Sequence, residues 1–274
     1  MTCRIWWIAL AATALAGAQP PRWQLVWSDE FNQEAHAPPD PTKWTYDRGG
    51  GGWGNQELEV YTDSAENVFQ DGQGHLVIRA LKAGSGFTSA RIKTQNLFTV
   101  VYGRVEARIK IPSGQGIWPA FWMLGADITS VGWPACGEID IMENIGKEPA
   151  IVHGTVHGPG YSGANGISAA FQSPSGAAFS DDFHVFSIVW EQDSIQFFVD
   201  NTLYHRVRPA DLPPGAKWVY EHPFFILLNV AVGGKWPGNP DSTTRFPQSM
   251  LVDWVRVSRL AAATDRPGMP HRHR

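Results

Sequence analysis

Two cysteines are all that this 274-residue chain contains, and that scarcity excludes a disulfide-stapled fold. Cys3 falls in an apolar N-terminal stretch, which leaves Cys136 alone downstream. A hydrophobic core must therefore hold the fold. Cys136 has no accompanying Cys–His pattern and reads as a small buried apolar residue rather than a nucleophile. Charge is scarce as well. Asp, Glu, Lys and Arg make up 18% of the residues, against the usual quarter, and the net charge is -4. With a pI near 6.1 there is no basic stripe of the kind that nucleic acid requires. No internal repeat, no nucleotide-binding glycine motif and no long amphipathic helical pattern is present. The single long apolar run, Ile5 to Leu15, is too short for a comfortable membrane span.

That run has Arg4 before it and Ala16-Gly17-Ala18 after it. A basic start, an apolar middle and small residues at the end predict a signal peptide over residues 1–18, cleaved after Ala18. The expectation is a secreted, soluble protein with no membrane attachment after cleavage, acting as a monomer. Residues 19–260 read as a single domain. Residues 261–274, with small residues, two prolines and a His/Arg end, read as a disordered tail in which His271 and His273 carry little metal affinity.

Glycine, proline and tryptophan are abundant: 28, 20 and 13 residues. So much Trp signals either an aromatic core or a cleft that stacks on flat ligands such as sugar rings, and composition leaves the two open. The Gly and Pro residues punctuate strand-like segments. Gly103 to Ile111 alternates apolar and charged residues with period two, as a half-buried strand does. His75 to Leu81 and Leu251 to Val257 are strand-like. Phe183 to Trp190 and Ile195 to Val199 form a hairpin pattern around Glu191-Gln192-Asp193-Ser194. Phe224 to Val232 is continuously apolar, as expected of a strand covered on both sides. Many short strands with regular turn signals predict an all-β sandwich or jelly roll.

The chemistry concentrates in Gly137-Glu138-Ile139-Asp140-Ile141-Met142-Glu143. Side chains alternate along a strand, so Glu138 and Asp140 share a face. Glu143 falls on the opposite face unless a β-bulge at Ile141-Met142 corrects the register. With the bulge, the carboxyl groups of Glu138, Asp140 and Glu143 face a common space. Strands normally avoid such clusters, and mutual repulsion makes one group hold its proton. Two carboxyls about 5–5.5 Å apart serve retaining glycoside hydrolysis, one as nucleophile and one as acid/base. A solvated acidic edge or a calcium site is the alternative. Calcium takes six to eight oxygens, which loops supply more readily than a strand flanked by isoleucines.

The same segment resembles the signature of glycoside hydrolase family 16, in its laminarinase-like branch. The resemblance extends to Trp27-Ser28-Asp29-Glu30-Phe31, Trp53-Gly54-Asn55-Gln56-Glu57-Leu58-Glu59, Tyr102 to Arg108, Gly116 to Trp122, Leu228 to Gly234 and Val252 to Val257, in family order from about residue 23 to 260. It implies a jelly-roll β-sandwich of two antiparallel sheets with a concave substrate cleft. It implies an endo-β-1,3-glucanase, with Glu138 as nucleophile, Glu143 as acid/base and Asp140 as the assisting carboxylate. The bulged spacing with Met142 is similar to the laminarinase-like members and favours β-1,3-linked glucan. Mixed-linkage β-1,3-1,4-glucan, a galactan, or non-catalytic β-glucan recognition are the alternatives, and the last is disfavoured because both glutamates are present.

By position, the resemblance implies cleft residues at Asn55, Arg91, Trp118, Trp122, Trp133, His157 and Trp236. Trp118 would stack on a glucosyl ring, Arg91 would give paired bonds to sugar hydroxyls, and His157 would reach Asp140 or the substrate. His153 has the same parity on that strand. No catalytic cofactor is implied. A structural calcium is, at Glu30, the Gly74 carbonyl and Asp253. Asn144 departs from the family, where an aromatic residue often follows the acid/base, and this bears on substrate preference.

Overall fold

The structure, a computed structural model, describes residues 23–261. The signal peptide at residues 1–18, Cys3 and the tail from residue 262 lie outside the described residues. Among the described residues, no helix is long and apolar enough to cross a membrane.

Two sheets pack face to face. The ten-stranded sheet runs in the order Thr202–Val207, Ser194–Val199, His184–Glu191, Gly103–Lys110, Gln248–Leu260, Leu76–Ala83, Gly86–Ser89 and Glu59–Tyr61; Trp23–Asp29 also pairs with Gln248–Leu260, and Val68–Gln70 with Leu76–Ala83. The seven-stranded sheet runs Ile167–Gln172, Ile151–His157, Glu138–Glu143, Ile117–Gly125, Phe224–Val232, Arg91–Lys93 and Thr45–Asp47. Pairing is antiparallel except between Glu59–Tyr61 and Gly86–Ser89. Neighbours in each sheet are mostly distant in sequence, as in a jelly roll.

The predicted strands are present, with shifted ends. Gly103–Lys110 alternates buried and half-buried residues along its whole length. The hairpin closes with Glu191 opposite Ser194, so its turn is tighter than the sequence pattern outlined. Phe224–Val232 is buried at every position. Phe224, Ile226, Leu228, Val230 and Val232 enter the main core between the sheets. Phe225 and Leu227 enter a second cluster with Leu124 and Cys136, against Trp122 and Ile128. This double coverage explains the unbroken apolar run. Cys136 is fully buried and free, and its surroundings push the thiol up to about 11, mainly by desolvation. It is therefore a packing residue.

The described tryptophans divide between both roles that composition left open. Trp44 and Trp190 are among the largest fully buried side chains, whereas Trp133 and Trp236 are exposed. Phe121 points from the middle of the seven-stranded sheet into the main core and is fully buried. Truncating it leaves a cavity between two stiff sheets. Phe121→Ala is expected to cost about 3–5 kcal/mol, read as a lowered urea midpoint with an unchanged slope.

Candidate active site

The acidic strand, Glu138–Glu143, lies between Ile117–Gly125 and Ile151–His157 and pairs with both. Against the first, Glu138, Ile139 and Asp140 face Leu124, Met123 and Trp122, and the register then slips so that Met142 and Glu143 face Phe121 and Ala120. Against the second, the slip falls between Asp140 opposite Thr155 and Glu143 opposite His153. The bulge predicted at Ile141-Met142 is present. Ile139, Ile141 and Met142 all join the main core. Glu138, Asp140 and Glu143 are left on the opposite face, away from the other sheet.

Each carboxyl group meets a defined partner. Trp133 Nε1 donates to Glu138 Oε2 at 2.7 Å, and Trp118 Nε1 donates to Glu143 Oε1 at 3.0 Å. His157 Nε2 lies 3.0 Å from Asp140 Oδ2 and 3.9 Å from Glu138 Oε1. The donor atoms of Glu138, Asp140 and His157 lie within 4.8 Å of one another, close enough to chelate a divalent cation. The His157–Asp140 contact is itself of hydrogen-bond length, so the cluster is closed without one. Tyr220 Oη donates to the His157 carbonyl at 2.8 Å. Gly166 packs against the imidazole so closely that a Cβ there would lie 2.4 Å from His157 Cε1. The ring is thus held from behind by a position that only glycine can fill.

Burial dominates the electrostatics. Desolvation, with the charge of Asp140 added, pushes Glu138 up to about 8. Desolvation and the charge of Glu138 push Glu143 up to about 7, against the opposing pull of His157 and the Trp118 indole. Asp140 is raised well above the usual carboxylate range by desolvation and by Glu143. The arrangement holds protons at neutral pH that ordinary carboxyls release, as a site needing both an acid and a base requires.

The aromatic residues surround this cluster unequally. Trp118 meets Trp236 edge to face at 5.5 Å, and Trp236 meets His153 at 5.0 Å. Trp133 and Trp236, at 48% and 38% exposure, are the indoles free to stack on a ligand. Trp122 lies opposite Asp140 but is turned to support: its Nε1 donates to Asn229 Oδ1 at 2.8 Å. The Arg91 guanidinium sits 4.9 Å from the Trp53 ring and 4.6 Å from Trp122, and its Nε pairs with Asp47 at 2.9 Å. Stacked on two indoles and paired through Nε with Asp47, the guanidinium is braced beside Trp122. Asn55 is likewise engaged, donating to Glu57 Oε1 at 2.9 Å. Asn144 turns inward, where its amide donates to the carbonyls of Glu148 and Ile151.

Sequence reasoning did not single out Glu57, Glu59, Tyr61 or Asn229. Tyr61 Oη donates to Glu57 Oε2 at 3.2 Å and accepts from Asn229 Nδ2 at 3.1 Å. The sequence signals were the place of Glu57 and Glu59 in the motif that contains Asn55 and that of Asn229 in the segment Leu228 to Gly234.

The expected calcium ligands do converge in backbone terms. Asp29 pairs with Val255 and Leu76 with Val252, which draws the neighbourhoods of Glu30, Gly74 and Asp253 together. The side chains are otherwise committed. Arg256 donates to both Glu30 oxygens, at 3.0 and 2.7 Å, and lowers its pKa. Arg108 donates to Asp253 Oδ2 at 2.6 Å. With both carboxylates neutralised by guanidinium, this set does not fit a calcium ion, which needs six to eight free oxygens.

Comparison with known proteins agrees with the geometry. The family described as Glycosyl hydrolases family 16 matches residues 54–256. A β-glucanase of Rhodothermus marinus is 43% identical over 251 residues, covering 87% of this chain and 86% of its own. The laminarinase catalytic domain of Thermotoga maritima MSB8 superimposes with a TM-score of 0.82 at 49% identity, over 88% of this chain and 99% of that one. The endo-β-1,3-glucanase of Pyrococcus furiosus gives 0.83 at 48% identity, over 89% and 97%. A two-sheet sandwich, an acidic strand bulged to gather three carboxyls, and matches spanning most of the chain lead to one conclusion: this protein belongs to glycosyl hydrolases family 16.

Proposed function

We propose that the protein is a retaining endo-β-1,3-glucanase that cuts laminarin-type glucan by double displacement. The observation that carries this reading is the bulged strand, which sets Glu138, Asp140 and Glu143 on one face, with an indole donor on each glutamate. The laminarinase relatives favour a β-1,3 linkage over mixed-linkage glucan or galactan. Burial raises Glu138 further than Glu143, and the reactive form is the one in which Glu138 is ionised and Glu143 keeps the proton. From it, in the first step, the Glu138 carboxylate attacks the anomeric carbon, the glycosidic C–O bond breaks, and the Glu143 proton passes to the leaving oxygen. In the second, Glu143 takes a proton from water, the water oxygen bonds to the anomeric carbon, and Glu138 leaves as carboxylate. Asp140, held by His157, supports Glu138 between its two states. No step needs a cofactor. Trp133 and Trp236 supply flat apolar faces for glucosyl rings. The enzyme acts outside the cell as a monomer, exported by residues 1–18, and the N-terminus of the exported protein is expected at Gln19.

Glu138→Ala and Glu143→Ala are each expected to cut laminarin turnover by several orders of magnitude while far-UV circular dichroism stays unchanged. Reducing-sugar release compared across laminarin, lichenan, carboxymethyl-cellulose and agarose should be greatest on laminarin. Rate on agarose alone would sink the linkage assignment. The first product seen by proton NMR should be the β-anomer, since an inverting enzyme would give α.

Stability should follow the same carboxyls. Burial pushes Glu138 up from an ordinary value of 4.5 to about 8 in the folded protein. A raised folded value means that the folded state binds the proton more tightly. The stability this contributes is complete below about 4.5 and is lost as pH rises toward about 8. Glu138→Gln, neutral throughout, is expected to flatten that decline and to melt above the wild type at pH 8, as thermal scans across pH would register.

A further inference from the structure

Glu57 and Glu59 form a second carboxyl pair beside the cleft, outside the acidic strand. Glu59 is 1% exposed. Its Oε2 accepts the Val232 amide at 2.6 Å, and its Oε1 has no donor. Burial and the adjacent Glu57 push Glu59 up to about 8. Glu57, by contrast, is half-buried and receives two donors, the Asn55 amide at 2.9 Å and the Tyr61 hydroxyl at 3.2 Å. The two carboxyls therefore sit in unlike surroundings, one buried with a single backbone donor and the other held by two side-chain donors. Backbone bonds fix the pair in place: the Leu58 amide donates to the Val232 carbonyl at 2.8 Å and the Lys235 amide to that of Asn55 at 2.9 Å.

Gly234 places this pair relative to the chemistry. A Cβ there would lie 3.7 Å from Trp118 Cζ3 and 3.8 Å from Glu57 Cγ. Trp118 and Glu57 thus flank one backbone position, and the Trp118 indole donates to Glu143. The other charged and titratable groups around the two are accounted for. Glu143 shares its strand with Glu138 and Asp140, faces His153 and His157 on the next strand, and has Tyr204 nearby. Glu57 has Glu59 and Tyr61 on its own side and Lys235 on the loop bonded to Asn55. Arg91, near Tyr61, is taken by Asp47, which also holds Lys93.

We propose that Glu57 is a positioning residue for the glycosidase reaction: its carboxyl, oriented by Asn55 and Tyr61 beside the Trp118 indole that donates to Glu143, keeps the proton on Glu143 until the leaving group takes it. The proposal rests on Glu143 being the acid/base. The charge of Glu57 acts on Glu143 in the direction required, raising its proton affinity. Asn55 then serves the reaction by orienting a carboxylate rather than by meeting the sugar alone.

The test is the dependence of kcat/KM on pH, with laminarin as substrate. Glu57→Gln removes the charge and keeps the shape, so Glu143 loses its proton earlier and the alkaline limb should move down by about half a pH unit, the size of a single screened charge at this range. Glu57→Asp keeps the charge and should return most of the shift. Glu57→Ala repeats the charge loss in a second background, so misfolding of one variant does not remove the test, and thermal melts identify the folded ones. A purely structural role would lower kcat at every pH and leave the limb in place. An unmoved limb in folded Glu57→Gln, or equal shifts in Glu57→Gln and Glu57→Asp, would overturn the proposal. Near-normal activity in Glu143→Ala would instead overturn the mechanism on which it rests.

Discussion

A single extra residue in one strand decides whether this sandwich has an active site. Along a regular strand, Glu143 would share the face of Ile139 and Ile141 and enter the core. The bulge reverses this, and both pairings of the strand record the slip. Its cost is offset by packing. Ile141 and Met142 are 1% and 0% exposed, so both residues of the bulge are anchored between the sheets. Because the interior is close-packed, the register has little freedom to relax. The core thereby fixes the spacing of three groups that repel one another.

The choice of donors follows from that repulsion. Among the described residues the cluster is met by two indole N–H groups and one imidazole, and by no lysine or arginine. An indole stabilises a carboxylate without supplying a counter-charge. A full cation at hydrogen-bond distance would favour ionisation of both glutamates and remove the acid. The indoles leave the proton inventory of the site unsettled, which the chemistry exploits. They also give the same residues a second use, since an indole that donates from its edge still offers a face.

How much of this could be read beforehand depended on pattern length. Gly103–Lys110 and Phe224–Val232 carry enough residues for period two or unbroken burial to register. The bulge was legible because a carboxyl triplet makes chemical sense only with it. Thr45–Asp47, Glu59–Tyr61 and Arg91–Lys93 hold three residues each, too few to show a period, and they form only because neighbours supply ladders. The network around Tyr61 was invisible for a different reason. Its bond to Asn229 spans 168 positions, and nothing local in either residue announces the other. The surroundings of Arg91 were hidden in the same way: nothing local in the sequence announced Asp47 or the two indoles against its guanidinium.

The protein contains its own control for how partners set the chemistry of a carboxylate. Glu30 and Asp253 lie on the ten-stranded sheet's side of the molecule, each bonded to an arginine. Arg256 lowers the pKa of Glu30, which makes that group a permanent anion and a poor acid. Glu138, the same residue type, is buried with neutral donors and shifts in the opposite direction. Arg91, the strong cation braced beneath the site, is tied to Asp47 and stacked between Trp53 and Trp122, so its charge is spent before it reaches the cluster. Reactivity in this fold is thus set less by where carboxylates occur than by which of them arginine is kept away from.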